Sequence, residues 1–186
     1  MYSFKVKDAE YAIREYLHGH PNSKVAAKAL EGDCAAMMEL YEKLCGSAEK
    51  VIEEGPSDDA TFVIFEAVNR KYVPAMIRFA QDTMIDEEFW PDGLMMLMEA
   101  YEFGGQEAMV QLKNDWHNCI KDIESRYKNG ERISKNEEFM LAFYYYYGIV
   151  TPKNSALALR LFQSSAKRGC DEASRMLSKI ESAVAS

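Results

Sequence analysis

YYYYGIVTPKNSALALRLFQSSAKRGCDEA, residues Tyr144 to Ala173, is the stretch on which the fold turns. It reads as the aromatic end of one helix stopped at Gly148, a turn through Val150 and Pro152, and a polar start at Asn154. A second helix follows with Ala158, Phe162 and Ala166, then a stop at Gly169 and a third helix opening at Ala173. Glycine ends helices because it enters the left-handed conformation without a Cβ clash, and proline cannot continue a helix. Apolar residues spaced by three and four between such stops mark amphipathic helices.

Outward from this stretch the same pattern recurs: a helix end, a Gly or short polar turn, then a small residue opening a new apolar helix. Copies run from Lys28 to Tyr41, Val68 to Ala80, Ala100 to Leu112 and Ser165 to Leu177, with a weaker one from Ser134 to Gly148. Their small anchors, Ala36, Ala75, Ala108, Ala142 and Ala173, are 39, 33, 34 and 31 residues apart. That period fits two short helices and two turns. A pair this small cannot bury an apolar face alone, so neighbours must stack, and alanine at the anchor lets two helix backbones approach. Periodicity and breakers predict helices over 9–18, 23–31, 33–45, 58–71, 74–83, 88–103, 106–128, 136–147, 154–168 and 171–184. The alternating start Tyr2 to Lys7 reads as an extended lead-in, since it has no hairpin partner.

The stretch Tyr144 to Ala173 resembles the Sel-one-like repeat, a relative of the tetratricopeptide repeat. The resemblance implies an all-α superhelix, a solenoid of about five helix pairs, forming one helical-repeat domain over 1–186. Residues 1–32 would be a divergent N-terminal pair, 33–133 degenerate repeats, and 134–186 the best-matching repeat with a C-terminal helix. The middle keeps the anchors and Gly turns but loses the aromatic–glycine ending, and 113–135 reads as an extended helix where the family turns. The family's role implies an adaptor, scaffold or regulator that holds partners. If first helices line the concave face, Tyr41, Arg78, Asp82 and Trp116 are candidate partner contacts.

Composition narrows the function further. The net charge is −8, from 30 acidic and 22 basic residues, and phosphate binding needs clustered Lys and Arg, so a nucleic-acid surface is not expected. By region the charge is −3 over 1–55, −7 over 56–105 and +2 over 106–186. An acidic middle would attract a basic partner and speed its association. With no run of 18 apolar residues and no basic, hydrophobic leader, a soluble cytoplasmic chain is expected. Cys34, Cys45, Cys119 and Cys170 show no CxxC spacing and read as reduced thiols. Cys34 and Cys45 share a predicted helix whose rise of roughly 16 Å between them is too long for a disulfide.

No constellation points to catalysis, a metal or a cofactor. His18 and His20, with Asp8, lack the further ligands of a structural zinc site. His117 has no nucleophile placed beside it by spacing. Neither GxGxxG nor GxxxxGK[ST] occurs. The pairs Glu53-Glu54 and Asp58-Asp59 and the run Asp86-Glu87-Glu88 lack calcium-loop spacing, and Asp58 and Asp59 fit a helix start. The methionines around Met95, Met96 and Met98 read as core filler.

The run Phe143 to Tyr147 is the most informative local feature. Five consecutive aromatics cover every face of a helix, whereas a solenoid buries part of the circumference. Phe143, Tyr146 and Tyr147 are therefore expected in the core, with Tyr144 and Tyr145 exposed as partner contacts. The function expected is a protein-binding module. Its concrete version is an immunity or inhibitor protein that neutralises a basic toxin; the alternatives are a peptide-binding scaffold or adaptor and, more remotely, an enzyme with a site in the helical groove.

Overall fold

The structure, a computed structural model, describes residues 6–46 and 57–185. Most of the expected lead-in and the Glu53-Glu54 pair lie outside the described residues. Among those described, every regular element is helical. The chain divides into two compact units, Met1–Phe79 and Ala80–Ser186.

The first unit holds α1 (Val6–Gly19), α2 (Lys24–Leu30), α3 (Cys34–Cys45), α4 (Asp58–Asn69) and the start of α5 (Val73–Thr83). Side-chain oxygens of Ser23, Asp33 and Ser57 accept from the amides of Ala26, Ala36 and Ala60 at 3.2, 3.0 and 3.3 Å, starting α2, α3 and α4. Such caps satisfy amides that the first turn leaves without a carbonyl. Helix α1 packs on α2 and α4, and α3 packs on the same two. Ile13, Met37, Leu40 and Ile64 fill the space between them.

The second unit contains a 3₁₀ turn (Glu87–Phe89), α6 (Trp90–Glu102), α7 (Gln106–Asn114), α8 (His117–Lys128), α9 (Lys135–Tyr147), α10 (Ser155–Lys167) and α11 (Asp171–Ala185). Helix α9 is its centre, packed on α6, α8 and α10, while α11 packs on α10 and returns to α6. Arg175 Nη2 meets Asp92 Oδ1 at 3.2 Å across 83 residues of sequence, and Lys179 meets Glu102 at 3.5 Å. In a strict stack each repeat touches only its sequence neighbours, so the α6–α11 contact departs from that scheme. Within α6, Gly93 is buried because the end of α5 lies close. A Cβ there would stand 3.1 Å from the Ala80 carbonyl oxygen, with Met84 Cγ and Sδ closer still.

The continuous helix expected over 106–128 is two helices, α7 and α8, broken at Asp115 and Trp116. Asn114 and Asp115 are poor helix formers, and Trp116 leaves the helical line with φ −101° and ψ 0°. Its ring then packs edge-on against Trp90, centroids 5.4 Å apart. The exchange of helical hydrogen bonds for an aromatic contact is invisible to apolar periodicity.

The turn repeat read in the sequence has a common backbone geometry. At Gly32, Gly104, Gly130 and Gly169 the chain takes a positive φ, and two amides fold back on the preceding helix. Gly32 N donates to Ala29 O and Asp33 N to Lys28 O; Gly169 N donates to Ala166 O and Cys170 N to Ser165 O. This paired closure is the Schellman motif. The copy without a glycine makes the same closure through Lys71, at φ 58°, with Lys71 N to Val68 O and Tyr72 N to Ala67 O. Four residues after Gly32, Lys71, Gly104 and Gly169 come the buried anchors Ala36, Ala75, Ala108 and Ala173. Ala142 is buried too, but its copy differs: Gly130 is followed four residues on by Ser134, the cap of α9. A lysine in the left-handed region is strained by ~1–2 kcal/mol. Replacing Lys71 by glycine is therefore expected to stabilise the first unit by at most about 1 kcal/mol, after the extra backbone entropy of glycine and the loss of the lysine side chain's own interactions are deducted. An upward shift of the thermal midpoint measures this gain.

Candidate functional site

Of the six residues expected at a partner surface, three lie in the core. Tyr144 is 0% exposed and its hydroxyl donates to Leu112 O at 2.8 Å; Tyr145 is 6% exposed and donates to Glu124 Oε1 at 2.6 Å. Burial raises both phenol pKa values, and the Glu124 carboxylate raises that of Tyr145 further. The expected division of the aromatic run is thus corrected. Phe143 is buried as expected, but Tyr144 and Tyr145 join it, while Tyr146 and Tyr147 are only half-buried. The cause is the central position of α9: a helix enclosed on several sides buries all its faces.

In the first unit Tyr41 is 1% exposed, which corrects its expected place at the surface. The Arg78 guanidinium, half-buried, lies over its ring at 5.6 Å. These two candidates are brought together, as a cation–π contact within the fold.

Asp82 and Trp116 lie in the second unit, which also holds the loop from α5 into α6. Ile85 stands at its tip with 59% of its surface exposed, beside exposed Asp86, Glu87 and Glu88. Two side chains hold the backbone of the loop and a third holds the Glu87 carboxylate. Trp90 Nε1 donates to Met84 O at 3.1 Å. Asn136 Nδ2, buried on α9, donates to Glu87 O at 3.0 Å and Glu88 O at 3.3 Å. Ser134 Oγ donates to Glu87 Oε1 at 2.9 Å. Asp86 Oδ1 accepts from Glu88 N at 2.9 Å and starts the 3₁₀ turn. Asp82 occupies the last turn of α5, just before the loop, and Trp116 packs on Trp90, both indoles half-buried. The result is an apolar tip and two aromatic edges, set among carboxylates on a fixed backbone.

Sequence reasoning missed Ile85, Glu88 and Trp90. A signal was present: between Arg78 and Lys113 the chain has eight acidic residues and no Lys, Arg or His. The structure also shows how some of that acidity is used. Asp92 pairs with Arg175, Glu102 with Lys179, and further back Glu66 with Arg70 at 2.7 Å. The basic C-terminal third thus neutralises part of the acidic middle from within.

Elsewhere, His20 stacks on Tyr16 with centroids 4.4 Å apart and its Nδ1 lies 3.1 Å from Tyr16 O, while His18 and His117 are exposed. Among the described residues no group of three or more His, Cys, Asp or Glu side chains could hold a metal ion. Ser57, not Asp58 or Asp59, caps α4; the two carboxylates sit in its first turn, near the positive end of the helix dipole. None of the four cysteines forms a disulfide, Cys34 and Cys45 stand at opposite ends of α3, and burial raises the thiol pKa values of Cys34, Cys119 and Cys170. Of the methionines around Leu97, Met98 is buried and Met95 and Met96 are half-buried. No described helix is long and apolar enough to cross a membrane.

No protein-family model, curated protein or solved structure matches the chain at a significant level.

Proposed function

We propose that the chain is a helical-repeat protein of the Sel-one-like kind whose role is to hold a protein partner, with the Met84–Trp90 loop and Trp116 as the contact region. The recurring Schellman closures, each followed after four residues by an alanine anchor, support the repeat reading. The observation that carries the binding role is Ile85, a large aliphatic side chain exposed on a loop whose carbonyls are already fixed by Trp90 and Asn136. A surface ordered before binding loses little entropy on association. The acidic residues around the loop favour a basic partner and fast encounter. That chemistry supports an inhibitor of a basic protein over a scaffold that recruits several partners.

The test is a pull-down from native lysate followed by mass spectrometry, run in parallel with an Ile85→Asp variant. One basic protein captured in a one-to-one complex, and lost by the variant while its circular dichroism is unchanged, is the expected result. Several partners retained equally by the variant would move the role to a scaffold with a different surface.

A further inference from the structure

We infer that the Trp90–Trp116 pair and the carboxylates beside it dock an arginine-bearing segment of a partner, with a guanidinium over an indole face. The inference rests on the partner-binding reading above and names the chemistry of the partner at that site.

The indoles meet edge to face, at 5.4 Å and 71°. In such a pair only one of the four ring faces is occupied by the pair itself. Both tryptophans are half-buried, as is the neighbouring Phe89, so part of each residue's surface meets solvent. An indole face is electron-rich and attracts cations, a planar guanidinium above all. Glu88, two residues before Trp90, and Asp115, directly before Trp116, are exposed carboxylates that neighbour the two rings in sequence, with exposed Asp86 on the same loop. Lys113 and His117 flank Trp116 in sequence, whereas before Trp90 no cationic residue occurs back to Arg78, and Arg175, which meets Asp92 after Trp90, is already paired with Asp92 and Glu172. The guanidinium is therefore placed over Trp90, where charge complementarity is least offset. The fold already uses this pairing internally, in Arg78 over Tyr41 and in Lys153 over Tyr146 at 5.7 Å.

The chain contains two tryptophans, and both are at this site. Indole emission of the intact protein therefore reports on it directly. The probe is a synthetic peptide alternating Arg and Ala, compared with versions carrying Lys or Glu in place of Arg. The Arg peptide is expected to change the emission saturably. Half-saturation should move to several-fold higher concentration with the Lys peptide, and higher again when salt rises from about 0.05 M to about 0.3 M. The Glu peptide should leave the emission unchanged. In the double variant Glu88→Gln with Asp115→Asn, both exposed positions, half-saturation should rise about tenfold, the loss of two short-range charge attractions. An Arg peptide that acts no differently from the Lys or Glu peptide, or a double variant that binds as well as the parent, would overturn the assignment. If the Ile85→Asp variant still loses a captured partner while the Arg peptide has no effect, partner binding stands and the arginine chemistry falls. If neither responds, both fall.

Discussion

Replacing Phe143 by alanine is expected to lower the unfolding free energy of the second unit by about 3–5 kcal/mol. The ring is 0% exposed on the central helix α9, with centroids 4.7 Å from Tyr147, 5.9 Å from Tyr144 and 6.2 Å from Phe139. Truncation removes buried apolar surface and leaves a cavity that neighbours on α6, α8 and α10 must close at once. Against a typical domain stability of ~5–15 kcal/mol, that loss should bring the midpoint of urea unfolding far down. Val110→Ala, at a position 53% exposed, is the control, with an expected change within about 0.5 kcal/mol. A Phe143 effect as small as the control would mean that α9 is not enclosed. The same burial reverses an expectation drawn from the sequence. Removing the side chains of Tyr144 and Tyr145 should disrupt the core, not trim a binding surface with helicity intact.

Many helix boundaries were legible because a local chemical signal marks them: a Ser, Asp or Asn cap starts α2, α3, α4, α9 and α10, and a positive-φ glycine follows α2, α6, α8, α9 and α10. The anchors Ala36, Ala75, Ala108, Ala142 and Ala173 were legible for a related reason, since a small residue at regular spacing records close backbone approach. Which helix stands at the centre was not legible. The aromatic run of α9 states that all its faces are apolar, and that fact alone indicates enclosure. The solenoid assumption, which leaves one face open, pushed Tyr144 and Tyr145 outward instead. The break at Asp115–Trp116 depends on a ring in α6, 26 residues away in sequence, so no window around it carries the signal. The loop at Ile85 was hidden differently. Its order comes from Asn136 and Ser134, about 50 residues downstream, and a lone isoleucine between acids has no periodicity to read.

Glu124→Gln is expected to lower stability at pH 7 by about 2–3 kcal/mol and to remove a specific acid sensitivity. The Glu124 side chain is 9% exposed, and burial by itself would raise its pKa. Hydrogen bonds from the Tyr145 hydroxyl at 2.6 Å, Lys128 Nζ at 2.9 Å and Lys121 Nζ at 3.3 Å outweigh burial and bring the carboxyl from an ordinary 4.5 to about 2. A folded pKa below the unfolded one means that the unfolded chain takes up the proton first as pH falls. The stabilisation is therefore complete above pH 4.5 and is lost progressively between 4.5 and about 2. Glu137 on α9 shifts in the same direction: burial raises it, but bonds from Arg126 and the Ser134 amide lower it more, so the parent's total acid dependence includes both groups. The difference between parent and Glu124→Gln isolates the first. Glutamine can still accept from Tyr145, but its amide turns N–H groups toward two ammonium groups, so the substitution loses the ionic part and keeps the shape. Urea unfolding of both proteins across pH 7 to 2 should give two curves separated at neutral pH that converge in acid. Parallel curves would show that Glu124 is not held as an anion by Tyr145 and the two lysines.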